Sequence, residues 1–77
     1  MKRVMRKMSH HGDDVLAEYD VDVTSPERLK AIENEFNGLM QNGYTAADIT
    51  DKKDEIIHQF DPKADILLIP RMQGGIA

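Results

Sequence analysis

The chain has 77 residues, a mass of 8.7 kDa and a formal net charge of −4 at pH 7. A chain of this length buries only about 60 to 65% of the surface that it exposes when unfolded, so we expect one small domain without a large enclosed active site. The absence of cysteine excludes disulfides, thiolate nucleophiles and cysteine-based metal sites. With 40% apolar and 31% charged residues and no apolar run of membrane-spanning length, the sequence predicts a globular cytoplasmic protein with no membrane partner.

Basic residues are concentrated at the start of the chain. Four of the ten are Lys2, Arg3, Arg6 and Lys7, which leaves six basic residues against fourteen acidic ones elsewhere. Nucleic-acid binding requires several clustered cations that neutralise phosphates, so this balance argues against a nucleic-acid partner. We expect instead a first strand whose basic side chains face acidic side chains on the neighbouring strand.

The first two elements are predicted to form a β-hairpin. Residues 1–8 mix apolar and basic residues and are predicted as a strand, and the residues from Ser9 to Asp13 are typical of a turn. Over 15–23 every odd position is apolar, which predicts a strand with one buried face. Leu16 is the exception, because it is apolar on the predicted polar face.

A single helix follows the hairpin. Ser25 as N-cap would place Pro26 at the first helical position, and Thr24 as N-cap would place Glu27 in a capping box. Asn42-Gly43 predicts the end of the helix. Between these signals an apolar stripe recurs at helical spacing, formed by Leu29, Ile32, Phe36, Leu39 and Met40.

Three short strands are predicted after the helix, over 44–49, 55–60 and 66–72. The last begins Ile66-Leu67-Leu68-Ile69, which is apolar on both faces and therefore predicts a central strand. If that strand pairs parallel with the first one, a mixed sheet packs one face on the helix. The predicted fold class is therefore α+β, with the ββαβββ arrangement of a β-grasp domain over residues 1–72.

The order and spacing of these elements resemble ubiquitin and its relatives. The C-terminal sequence from Ile66 to Gly75 is similar to the ends of ubiquitin-like modifiers and of bacterial sulfur carriers such as the small subunit of molybdopterin synthase. Its Ile-Pro-Arg stretch, which ends at Arg71, also resembles a ubiquitin-like phage tail assembly protein. The resemblance implies a small non-enzymatic protein that needs no cofactor.

In such modifiers and carriers an adenylating enzyme activates the carboxylate of the last glycine. The resemblance thus implies a flexible tail, residues 73–77, that acts through Gly74 and Gly75. Ile76 and Ala77 follow the glycines, so a peptidase would first have to remove them. The alternative is that the diglycine is an ordinary frayed terminus.

Without tail chemistry, the resemblance predicts an adaptor or assembly domain that docks on other proteins through a sheet face. The candidate docking residues are Met5, Met8, Leu16 and Arg71.

A metal or enzyme site could use His10, His11 and Asp13. Adjacent side chains in a turn tend to diverge, however, and zinc needs three or four converging ligands, so a polar surface loop without metal is the preferred interpretation. His58 is interpreted as a partly buried residue of the sheet and not as a general base.

Overall fold

A computed structural model describes residues 1–70, which form five strands and one α-helix. In chain order these are β1 (Arg3–Ser9), β2 (Gly12–Tyr19), α1 (Pro26–Gln41), β3 (Thr45–Asp48), β4 (Glu55–Ile57) and β5 (Ile66–Ile69), with a 3₁₀ turn over Thr50–Lys52. The helix packs on one face of a mixed sheet, which confirms the predicted α+β class. In this range α1 is too short and too polar to cross a membrane.

The first and last described strands lie side by side in the middle of the sheet. The strand order is β2-β1-β5-β3-β4, with β1 and β5 parallel and the other pairs antiparallel. Met5 lies opposite Ile66, and Lys7 lies opposite Leu68. Both the parallel pairing and the central position of the last strand are therefore confirmed.

Of the two N-caps that the sequence allows, the structure has Ser25 and not Thr24, and the helix ends at the predicted Asn42-Gly43. The Ser25 side chain accepts a hydrogen bond from the Arg28 backbone N–H at 3.1 Å, and Pro26 is the first helical residue. At the other end Asn42 terminates the helix and Gly43 adopts a φ of 94°, which glycine reaches without a steric penalty.

The core lies between α1 and the sheet. Its largest buried side chains are Met5, Tyr19, Ile32, Phe36, Ile66 and Leu68. The remaining residues of the predicted helical stripe are partly buried against this cluster, which confirms the stripe. Phe60 completes the core from outside the strands, with its ring centroid 5.3 Å from that of Tyr19 and 5.9 Å from that of Phe36.

The second strand ends earlier than its alternating pattern predicts. Val21 and Val23 are 37% and 81% exposed, because the chain leaves the sheet at Asp20. The Asp20 carbonyl accepts hydrogen bonds from the backbone of Val23 and Thr24, and its own N–H donates to the Thr24 hydroxyl. These local bonds form a turn, and the prediction of a strand through Val23 is therefore wrong.

A β-bulge changes the alternation at the other end of β2. Ala17 pairs with Met5, but the next residue of β1, Arg6, pairs with Val15, so Leu16 is an extra residue without a cross-strand partner. Leu16 packs against the core, whereas Val15 is 50% exposed. The alternating pattern predicted Val15 on the buried face and Leu16 on the polar face, and the structure has the reverse.

The strand predicted over 55–60 is also shorter in the structure. β4 ends at Ile57, and the chain bends at His58, which is exposed. The expectation that His58 is partly buried is wrong, because the segment leaves the sheet to bring Phe60 under the helix.

Asp65, just before β5, forms hydrogen bonds to the start of β1 and to the loop after β3. Its carboxylate accepts hydrogen bonds from the Val4 backbone N–H at 2.9 Å and from the Arg3 guanidinium at 3.3 Å. Its backbone N–H donates to the Thr50 hydroxyl at 2.8 Å, and its carbonyl accepts from the Ile49 N–H at 2.9 Å. One residue thereby fixes the start of the parallel β1–β5 pair relative to the loop after β3.

Replacing Asp65 with alanine is expected to destabilise the fold by about 2 kcal/mol, because it removes two charge-assisted hydrogen bonds. The control is Asp61→Ala, since the Asp61 carboxylate accepts only a local hydrogen bond from the Lys63 N–H and is exposed. Urea unfolding of both variants measures the difference. Equal losses of stability would show that Asp65 has no special role.

The buried hydroxyl of Tyr19 is expected to lower the stability of the fold at alkaline pH. Burial raises the pKa of Tyr19 above its ordinary value, and the nearby Asp65 carboxylate raises it further. An unfolded tyrosine ionises near pH 10, so the unfolded state loses its proton first and stability falls as the pH rises above about 10.

The Tyr19→Phe variant lacks this proton and also the hydrogen bond from the Tyr19 hydroxyl to the Ala64 carbonyl, which is 2.8 Å long. We expect it to be about 1 kcal/mol less stable at neutral pH and to lose less stability than the parent above pH ~10. Urea unfolding at neutral and alkaline pH measures both effects. Parallel pH profiles would contradict this account of Tyr19.

Candidate protein-docking surface

The face of the sheet opposite the helix carries a row of side chains from all five strands. Buried residues such as Met5, Ile66 and Leu68 contact the helix side, so the residues between them on each strand face away from it. From β2 to β4 the row is Val15, Arg6, Leu67, Ala47 and Ile56. We call these five residues the outer row.

The outer row is largely apolar and partly open to solvent. Val15 and Ile56, at its two ends, are 50% and 57% exposed. Between them Leu67 is partly buried, and Ala47 is only 1% exposed. Isolated exposed apolar residues are common on protein surfaces, but apolar residues aligned along one row of a sheet form a surface that another protein could cover.

A cleft of about 390 Å³ lies at the end of the sheet where β1 turns into β2. Its lining residues are Lys7, Met8, Ser9, His10, Tyr44, Ile69 and Pro70. Met8 and Ile69 each lie two residues beyond a member of the outer row on the same strand, so they share its face. We call this concavity the hairpin-end cleft; it continues the outer row toward Pro70.

The turn beside the cleft has a defined geometry. The Ser9 hydroxyl accepts a hydrogen bond from the His11 N–H at 3.2 Å and donates one to the Gly12 carbonyl at 2.8 Å. Gly12 adopts a φ of 109°, which favours glycine at this position. His10 and His11 are exposed, and within residues 1–70 no group of three or more potential ligands is placed to bind a metal ion.

The predicted docking residues fall in different places. Met8 is 41% exposed on the outer face, and its role in docking stays a prediction. Met5 is 0% exposed in the core, so its assignment to a docking surface is wrong: its position on β1 points it at the helix. Leu16 is also wrongly assigned, because the bulge turns its side chain to the core. Arg71, Gly74 and Gly75 lie outside the described residues.

Sequence reasoning did not single out several residues of this surface, among them Tyr44, Ile56, Leu67 and Ile69. A usable signal was present in β5, where four consecutive apolar residues require that two of them face away from the helix. Tyr44 and Ile56 carry no such signal, because their positions depend on how β3 and β4 pair.

The four basic residues at the start of the chain are only partly neutralised by acidic neighbours. The Lys2 ammonium, just before β1, lies 2.6 Å from the Glu18 carboxylate of β2, which confirms the expected basic-to-acidic contact at this pair. Arg3 is paired with Asp65. Among residues 1–70, neither Arg6 nor Lys7 has a carboxylate within 4.0 Å. The side chains of Arg6 and Lys7 are therefore available to bind acidic groups of another molecule.

No protein-family model, curated protein or solved structure matches this chain.

The bulge predicts unequal losses of stability on substitution of two adjacent residues. Leu16→Ala removes side-chain volume that packs against the core, so we expect a loss of about 2 kcal/mol of stability. Val15→Ala removes a half-exposed side chain on the outer row and is expected to cost about 0.5 kcal/mol or less. Urea unfolding compares the two, and a larger loss for Val15→Ala would contradict the assigned faces.

Proposed function

We propose that this chain is a ubiquitin-like β-grasp domain that works by being bound by other proteins and not by catalysing a reaction. Its docking surface would be the outer row together with the hairpin-end cleft. The observation that carries this proposal is that the apolar side chains of Val15, Leu67 and Ile56 are partly exposed on the sheet face that the helix leaves uncovered.

The topology supports the β-grasp part of the proposal. In a β-grasp domain the chain forms a hairpin and then a helix, and a later strand returns to the centre of the sheet, which packs on the helix. The element order and the strand order of this chain agree with that description. Since many folds serve several functions, the topology itself does not select a function. The partly exposed apolar residues of the outer row favour protein binding.

A second candidate function uses the C-terminal residues. β5 runs parallel to β1 and ends beside the hairpin-end cleft, where Ile69 and Pro70 are part of the lining. A peptidase or an adenylating enzyme that acts at Gly75 would then bind the protein at the hairpin-end cleft. In that case the protein would be a modifier or sulfur carrier, activated after removal of Ile76 and Ala77; otherwise it would be an adaptor or assembly domain.

Site-specific photo-crosslinking in the cells that produce the protein tests the docking surface. A benzoylphenylalanine at Thr45, which is exposed on the outer face, is expected to yield a discrete adduct with a partner. The same residue at Asn34, exposed on α1, serves as the control and is expected to yield none. Adding Ile56→Asp should abolish the Thr45 adduct, because a buried unpaired carboxylate is costly in an apolar interface.

Adducts from Asn34 but not from Thr45 would refute docking through the outer face. Intact-mass analysis of the protein recovered from the cells that produce it separates the two candidate functions. An adaptor would show a single population that ends at Ala77. A carrier or modifier would show a population that ends at Gly75 or is joined to another molecule there.

A further inference from the structure

Arg6 is the one charged member of the outer row, and its position restricts what can cover that row. Its neighbours across the sheet are Val15 on β2 and Leu67 on β5, and neither side chain offers a hydrogen-bond acceptor. Arg6 itself is partly buried. No side chain of residues 1–70 forms an ion pair or a hydrogen bond with its guanidinium.

Two acidic residues of β2 share this face with Arg6. Asp13 lies opposite Met8 and forms no ion pair within residues 1–70, and Glu18 is already occupied. Glu18 pairs with Val4 on β1 and binds the Lys2 ammonium at 2.6 Å. The pKa of Glu18 lies below its ordinary value, first because of the hydrogen bond from Lys2, then because of the Lys2 charge, with only a small contribution from Arg6. The guanidinium therefore keeps its donors for another acceptor, which in the free protein is water.

A protein that covers the outer row removes this water. Leaving an arginine desolvated and unpaired in an interface is costly, whereas a carboxylate accepts two parallel hydrogen bonds from a guanidinium. We infer that the partner of this surface presents an aspartate or glutamate to Arg6, flanked by apolar side chains that cover Val15 and Leu67. This inference rests on the proposed docking function and adds the chemistry of the partner to it.

Selection from a displayed random dodecapeptide library tests this chemistry without a known partner. The full chain is compared with Arg6→Glu and with the control Lys63→Glu. Lys63 is exposed and lies beside Arg3, at the other end of β1 from the cleft. The parent and the control are expected to enrich peptides with an acidic residue next to apolar ones, and Arg6→Glu is expected to enrich lysine or arginine at that place.

A second measurement assigns the contact to Arg6. The best parent-selected peptide is synthesised with its acidic residue and again with the matching amide. We expect the amide to weaken binding to the parent by about tenfold or more, and to leave binding to Arg6→Leu unchanged within about twofold. Chemical-shift changes in the labelled protein should centre on Val15 and Leu67.

Neutral peptides that bind the outer row and ignore the charge at position 6 would overturn the inference while leaving the docking function intact. Peptides that map to α1, or no enrichment at all, would count against both. Self-association of the chain through the outer row, detected by sedimentation and abolished by Ile56→Asp, would also overturn it, since the occupant would then be a second copy.

Discussion

The parallel pairing of β1 with β5 is the constraint on which the rest of the structure depends. It joins residues about sixty positions apart, such as Met5 and Ile66, and closes the sheet around the helix. Because such long-range pairing gives no stability until the intervening chain is ordered, it needs local reinforcement. Asp65 supplies it by accepting the Val4 N–H and the Arg3 guanidinium while its backbone bonds the loop after β3.

The same pairing creates both faces of the sheet. On the helix side it aligns Met5, Ile66 and Leu68 into the core, and on the other side it sets Arg6 beside Leu67. The outer row therefore exists only because the two ends of the described chain meet. In the docking function that we propose, Arg6 would give this surface a chemical preference that its apolar residues alone would not have, since a partner that displaces water must offer the guanidinium an acceptor.

The candidate site was less predictable than the fold, and the reasons are physical. Helix caps act within a few residues, so the sequence limited the helix start to Thr24 or Ser25 and predicted its end at Asn42-Gly43. Which side of a strand a residue occupies depends on register, and one inserted residue reverses it. Leu16 shows this effect, because the bulge sends it to the core and leaves Val15 on the outer face. Met5 was misplaced for a related reason: β1 mixes apolar and basic residues without regular alternation.

The sequence by itself determined the element order, the helix and its ends, and the central position of the apolar strand that begins at Ile66. Those features follow from short-range signals: caps, turn residues and hydrophobic periodicity. The tertiary structure alone decided that Arg6 lies between Val15 and Leu67 with no partner carboxylate among residues 1–70, and that Tyr44 and Ile69 share a cleft with Met8. Those contacts join strands distant in the chain, and only the cross-strand register brings them together.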